Sequence, residues 1–285
     1  MAPPAHSGGR FAYGLVQPVV GARVLLGDRA LLRAALVPAA LLAAVCAAVA
    51  LAHARSETAG EMLRTFYTTF AVLAPVPSVL LAHHYARLAV LARHKLGFSP
   101  AEPCLEPLGR MLARAVAQTI LIAVAVAPPV AVLRLVPGVG HALVKVVAAG
   151  WALHWIVVDA FDSARFLRPG QTLADLDAHA ETIRPPWYVR ALRGAAARAP
   201  LGRRVLAKFA DACDRLSKPW REEIALVEDH PSLMLGFALS TAALLALPVV
   251  NLLFRPIVLV AAAHVLGQLE AIEPESPAVP PVTVG

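Results

Sequence analysis

Arg29 and Arg33 stand four residues apart just before a long apolar stretch. A helix there carries both guanidinium groups on one face. A guanidinium is a planar, permanently charged donor that matches an oxyanion. Free backbone N–H groups at a helix N-terminus add to that attraction. The pair reads either as an anion-collecting site or as two anchors reaching for lipid headgroups, the commoner use of such residues. Two turns carry further anion-holding groups. Val136-Pro137-Gly138-Val139-Gly140 precedes a new helix, whose first N–H groups are unpaired and whose dipole end is positive. Leu247-Pro248-Val249-Val250-Asn251 supplies an amide that both donates and accepts, and that also serves to cap the last helix. Transporters use half-helix ends of this kind to hold charged substrates near the bilayer midplane. The candidate substrate-binding residues are therefore Arg29, Arg33, Gly138, Gly140 and Asn251, with Pro137, Pro248 and Pro256 as structural turns.

Other reactive side chains give weaker patterns. His83 and His84 adjoin, and His141, His154 and His264 lie in or beside apolar runs. None has a metal-ligand spacing such as H-E-x-x-H, so no metal and no cofactor is expected. Neutral histidines bonded between helices are the commoner case, although an ionisable group within a membrane is a functional suspect by default. Asp159 and Asp162 end an apolar run, and Asp159 is expected to pair with Arg165 or Arg33. An intramembrane enzyme using His83, His84 and Asp159 would lack a nucleophile, so no enzyme is expected. There is no Gly-rich phosphate loop, so transport by this chain is not ATP-driven. Cys46, Cys104 and Cys213 are far apart and read as reduced structural thiols.

The elements that must position these residues are apolar. Of 285 residues 58% are hydrophobic and only 16% charged, against about 25% charged in soluble domains. Charge-free runs cover Ala34–Ala52, Thr65–Ala82, Ala115–Leu133, Val146–Val158, Pro231–Phe254 and Pro256–Leu269. This composition predicts an all-α, polytopic integral membrane protein. The run from 146 has 13 residues and that from 256 has 14, short of the roughly 20 that span about 30 Å of hydrocarbon. Each short arm follows a proline turn. Two partly penetrating helical hairpins fit this, and so do ordinary hairpins that thin the bilayer locally. The coincidence of Pro and Gly with both length deficits favours the former.

Lys and Arg number four in residues 1–33, five in 84–114 and twelve in 162–231. The positive-inside rule puts all three segments, including the N-terminus, in the cytoplasm. The leader does not read as a cleaved signal peptide. Phe11, Val16, Val20, Val24 and Leu25 could line one face of an interfacial helix, and the paired prolines at Pro75 and Pro77 predict a kink in the second helix. Residues 1–161 and 231–269 are the membrane domain, 162–230 a cytoplasmic basic helical insert, and 270–285 a disordered tail. Within the insert Leu201, Val205, Phe209 and Leu216 form an apolar stripe among Arg203, Arg204, Lys208 and Arg215. That is either a helix on an anionic membrane surface or one packed on its neighbours.

Three blocks resemble the CysZ-type sulfate permeases, of the etoposide-induced-protein-like membrane proteins. The first is Leu135-Val136-Pro137-Gly138-Val139-Gly140-His141, with Trp151 and Asp159-Ala160-Phe161-Asp162 downstream. The second is Leu247-Pro248-Val249-Val250-Asn251 through Arg255-Pro256, followed by Ala261-Ala262-Ala263-His264. The third is Gly14, Gly21, Arg33 and Pro38 entering helix one. The family's arginine pair maps to Leu32-Arg33, so one arginine is kept, with Arg29 a turn earlier. The resemblance implies two long transmembrane helices plus two partly penetrating hairpins, a homo-oligomer, and sulfate uptake across a bacterial inner membrane. The expected function is thus a permease for a small oxyanion, sulfate first, with anionic lipids as partners and no nucleic acid. The alternative is a non-transporting membrane scaffold of the same fold.

Overall fold

A computed structural model of the chain describes residues 3–53, 58, 60–62, 64–65, 81–199, 202–245 and 253–272. The expected kink at Pro75 and Pro77, the Pro248 turn, Asn251, Leu201 and nearly all of the tail lie outside these residues. The described chain is helical apart from two short strands, β1 (Glu102–Pro103) and β2 (Phe166–Leu167), which pair antiparallel.

Helix α1 (Ser7–Gly27) runs into α2 (Arg29–His53), and α3 covers Ala82–Lys95. Helices α4 (Leu108–Arg134) and α5 (Gly140–Ser163) form a hairpin. Four short helices follow: α6 (Leu173–Thr182), α7 (Trp187–Arg198), α8 (Arg203–Ser217) and, after a 3-10 turn, α9 (Arg221–Asp229). Helices α10 (Pro231–Leu245) and α11 (Phe254–Ile272) close the bundle. Among the described residues, α2, α4, α5 and α11 are long and apolar enough to cross a membrane. This is the all-α membrane architecture that composition predicted.

The arms of the first hairpin are longer than its charge-free runs. Helix α5 has 24 residues because Lys145, Asp159 and Asp162 lie on the helix itself, which at 1.5 Å per residue makes it about 36 Å long. Charge marks the ends of an apolar run, whereas backbone hydrogen bonds mark the ends of a helix.

Helix α1 departs from the interfacial reading, for it packs along α10 and α11. Its buried stripe is Gly14, Gln17, Pro18, Gly21 and Leu25, while Val16 stays half exposed. The reason is close backbone approach. A Cβ on Gly14 would lie 2.0 Å from the Leu233 carbonyl oxygen, and one on Gly236 would lie 2.2 Å from that of Phe11. A Cβ on Gly21 would lie 2.5 Å from the Ile257 carbonyl oxygen. Small residues let these helix backbones touch, as they do in membrane helix pairs generally. At the centre of this contact, buried Gln17 accepts from His264 Nδ1 at 2.7 Å and donates to the Tyr13 carbonyl.

The insert is not a separate layer. Tyr188, Val189, Cys213, Trp220 and Ile224 share one core with Leu121, Trp155 and Val158 of the α4–α5 hairpin. Helix α8 buries Ala210 and Cys213, with Phe209 and Leu216 half-buried, whereas Val205 is 71% exposed. Packing on neighbours therefore uses the C-terminal half of its apolar stripe. The hairpin tip beyond this core carries exposed Val132, Leu135, Val136, Val139, Leu143 and Val146.

Candidate functional site

Charged groups from four segments converge where α3, α4, α5 and α11 meet the insert. Arg114, on the second turn of α4, donates to Glu106 at 2.5 Å and to Asp162 on the last turn of α5. Arg165, just past α5, donates to Glu223 at 2.8 Å and to the Pro219 carbonyl at 3.1 Å. Arg255, on the first turn of α11, donates to Asp159 at 2.8 Å and to Ser163 at 2.8 Å. Asp159 and Ser163 are one turn apart on α5, which matches the fork of a single guanidinium. Asp159 thus pairs with Arg255 rather than with Arg165 or Arg33, since Arg165 turns away to Glu223 once the helix ends.

All of these side chains except Glu223 line a cleft of about 110 Å³, together with Tyr85, Cys104, Gln118 and Trp220. It is large enough for a few waters or a small ion. Cation–π contacts hold two of the guanidiniums, with Arg114 5.3 Å from the Trp220 ring centroid and Arg255 5.3 Å from that of Tyr85. Arg255 Nε is buried with no acceptor among the described residues. Burial pushes the Cys104 thiol up to about 11, so it is an inert thiol rather than a nucleophile. Cys46 and Cys213 are buried and unpaired as well.

Helix α3 fixes the level of the cleft. His84 Nε2 donates to the Ala34 carbonyl at 2.5 Å, and His83 Nε2 donates to the Glu106 carbonyl at 2.6 Å. A carbonyl only accepts, so both rings carry their proton on Nε2. His84 ties α3 to α2, and His83 ties α3 to the segment leading into α4. Ala34 is five residues into α2, so His84, next to cleft-lining Tyr85, meets that helix roughly 8 Å from its start.

Of the residues singled out in the sequence, Arg29, Arg33, Pro137, Gly138, Gly140 and Pro256 are among the described residues, and none of them lines this cleft. Arg29 and Arg33 are exposed on the first turns of α2 and make no bond among the described residues. The backbone N–H groups expected to help them hold an anion are taken. Asp28 caps the helix, accepting from Ala30 N at 2.8 Å and Leu31 N at 3.1 Å. Gly138 and Gly140 sit in the hairpin turn, and each has a conformational reason to be glycine. Gly138 has φ +80°, and a Cβ on Gly140 would lie 2.2 Å from the Leu133 carbonyl oxygen. The Gly140 and Leu143 amides bond within the turn, so this helix end offers fewer free donors than a blunt N-terminus. Pro137 lies in that turn, and Pro256 is buried on the first turn of α11, where a proline costs little. Arg114, Glu106 and Glu223 went unnoticed in the sequence, because a charge at a helix end looks like any anchor until its partner is known.

No protein-family model matches this chain, and no curated protein or solved structure is significantly similar to it.

Full burial pushes the Glu223 carboxyl up to about 7, with the Arg165 guanidinium opposing. A carboxyl raised in the fold binds its proton more tightly folded than unfolded. Its contribution to stability is present at pH below the ordinary carboxylate range and is lost as pH rises towards 7. Thermal unfolding in detergent should show a Tm that falls as pH goes from 5 to 7.5, with a slope of at most one proton, about 1.4 kcal/mol per pH unit. Glu223→Gln should flatten that slope. An identical slope in the variant would assign the titration elsewhere.

Proposed function

We propose that this chain is a membrane permease for a small oxyanion, sulfate foremost, and that the anion passes Arg255 in the cleft. The observation that carries this reading is Arg255 itself. It is the only charged residue between Pro231 and Leu269, it meets α5 inside a small polar cavity, and one of its donors is unmet. An intramembrane guanidinium is expensive and marks an ion path by default. An entering oxyanion takes over the donors now given to Asp159 and Ser163, while exposed Arg29 and Arg33 lie on its approach at the start of α2. Sulfate comes from the resemblance to CysZ-type permeases, as does the bacterial inner membrane. The positive-inside distribution supports a cytoplasmic N-terminus and insert. Exposed apolar faces on α2 and α4 fit lipid or a second copy of the chain.

Partial penetration of the α4–α5 hairpin has support too. The last α4 residue buried in the core that the hairpin shares with the insert is Leu121. The helix beyond it, to Arg134, reaches about 20 Å, short of the ~30 Å hydrocarbon layer.

A second reading is favoured by the charge count. Arg114, Arg165 and Arg255 face four carboxylates, Glu106, Asp159, Asp162 and Glu223. A neutralised network of this kind also suits a non-transporting scaffold, in which ion pairs lock the insert onto the membrane helices. Radiolabelled anion uptake into proteoliposomes separates the two. The permease reading expects sulfate uptake above that of empty liposomes, with sulfite, thiosulfate and phosphate as comparisons. Arg255→Ala should lower it at least about tenfold, the effect of losing one charge-assisted anion contact. Uptake no faster than leak would leave the scaffold.

A further inference from the structure

A groove of about 430 Å³ runs between α3 and residues 98–103 that follow it, and it shares no lining residue with the Arg255 cleft. Its basic side chains are Arg87, Arg93 and His94, and no carboxylate is among its described lining residues. Arg93 is 1% exposed, a buried cation. Its Nη2 bonds Glu270 at 2.7 Å, and its guanidinium stacks 3.7 Å from the Phe166 ring centroid. Its Nε and Nη1 have no acceptor among the described residues. Buried guanidinium donors are seldom left unmet, because the desolvation they have suffered is then uncompensated. Arg87 and His94, two turns apart on α3, are exposed and make no side-chain bond among the described residues. Three basic groups around one groove, one of them buried with two donors unspent, define a site for an oxyanion.

The other walls say which oxyanion. Leu91 and Pro103 make the groove mostly apolar, which a fully hydrated ion does not need and an acyl chain does. Its level agrees. Lys95, one residue past His94, pairs with Asp28 at 3.1 Å, directly before the span that starts at Arg29. The groove therefore opens where a membrane-crossing helix begins, the depth of lipid headgroups. We propose that this groove binds the phosphate group of an anionic phospholipid, with Arg87, Arg93 and His94 on the phosphate and the acyl chain along its apolar wall. A zwitterionic lipid has the same phosphate, but its choline cation would sit beside the Arg87 and Arg93 guanidiniums.

Native mass spectrometry of the full chain in detergent tests this, with phosphatidylglycerol, phosphatidylcholine and inorganic phosphate as probes. Phosphatidylglycerol should be retained about tenfold more tightly than phosphatidylcholine, the scale of one charge-assisted contact. The double variant Arg87→Gln/His94→Gln, which touches only exposed side chains, should lose that preference while keeping the wild-type Tm. Equal retention of the two lipids, or an unchanged preference in the double variant, overturns the proposal. So does displacement of phosphatidylglycerol by millimolar inorganic phosphate, which would make the groove a site for the free ion. None of these outcomes depends on whether the protein conducts sulfate.

Discussion

Arg114→Ala is expected to destabilise the protein by about 3–5 kcal/mol, the range for removing one partner from a buried ion pair. The wild-type side chain serves two carboxylates at once. Glu106 is 6% exposed and Asp162 20% exposed, so neither can regain full hydration when the guanidinium goes. The variant also empties a contact above the Trp220 ring, loosening the joint between the hairpin and the insert. Detergent unfolding followed by tryptophan fluorescence reports this directly, because Trp155 and Trp220 meet edge-to-face in that joint. A Tm within a degree or two of wild type would mean that Glu106 and Asp162 find other partners, and that the network is not what fastens the insert. Arg114→Ala combined with Glu106→Gln and Asp162→Asn should recover much of the loss, since an unpaired charge costs more than an absent pair.

Gly14→Leu is the second large effect expected. The Gly14 Cα faces the Leu233 carbonyl at a distance that leaves no room even for a methyl group. The obstacle is backbone, which cannot rotate away. Helices α1 and α10 must separate, giving up the matching contact at Gly236 and loosening the Gln17–His264 bond below it. Overpacking a tight interface costs about 1–3 kcal/mol where side chains can yield, and more is expected here. Gly8→Ala on the same helix is the control, because nothing lies within 4 Å of the position a Cβ would take. Size-exclusion profiles and Tm values should be near normal for Gly8→Ala and poor for Gly14→Leu. Similar behaviour of the two variants would contradict the close approach.

The apolar architecture was legible in the sequence because hydropathy is local. Four spanning-length helices fall on or beside runs that lack charge. The hairpin turn at Pro137 was legible for the same reason, since Pro and Gly act on their own backbone. What the sequence could not show is which charge meets which. Asp159 and Arg255 are 96 residues apart, and Arg114 and Asp162 are 48 apart. Such pairs arise only when helices pack. The packing stripe of α1 was misread for a different reason. Large apolar residues were expected to mark one face, but close backbone contact selects glycine, and of the named residues Leu25 is buried, Val20 and Val24 are half-buried and Val16 is exposed. One signal was missed that local reading does offer. An Asp immediately before a helix is an N-cap, and Asp28 has already taken the amides that were assigned to an anion.

Sulfate influx into proteoliposomes, compared between Asp159→Asn and Arg255→Ala, tests the central claim most directly. Neutralising Asp159 frees the Arg255 donors for an anion, so influx should match or exceed wild type in the first variant and collapse in the second. Equal influx in both variants, whether fast or at the level of leak, would contradict an anion path past Arg255.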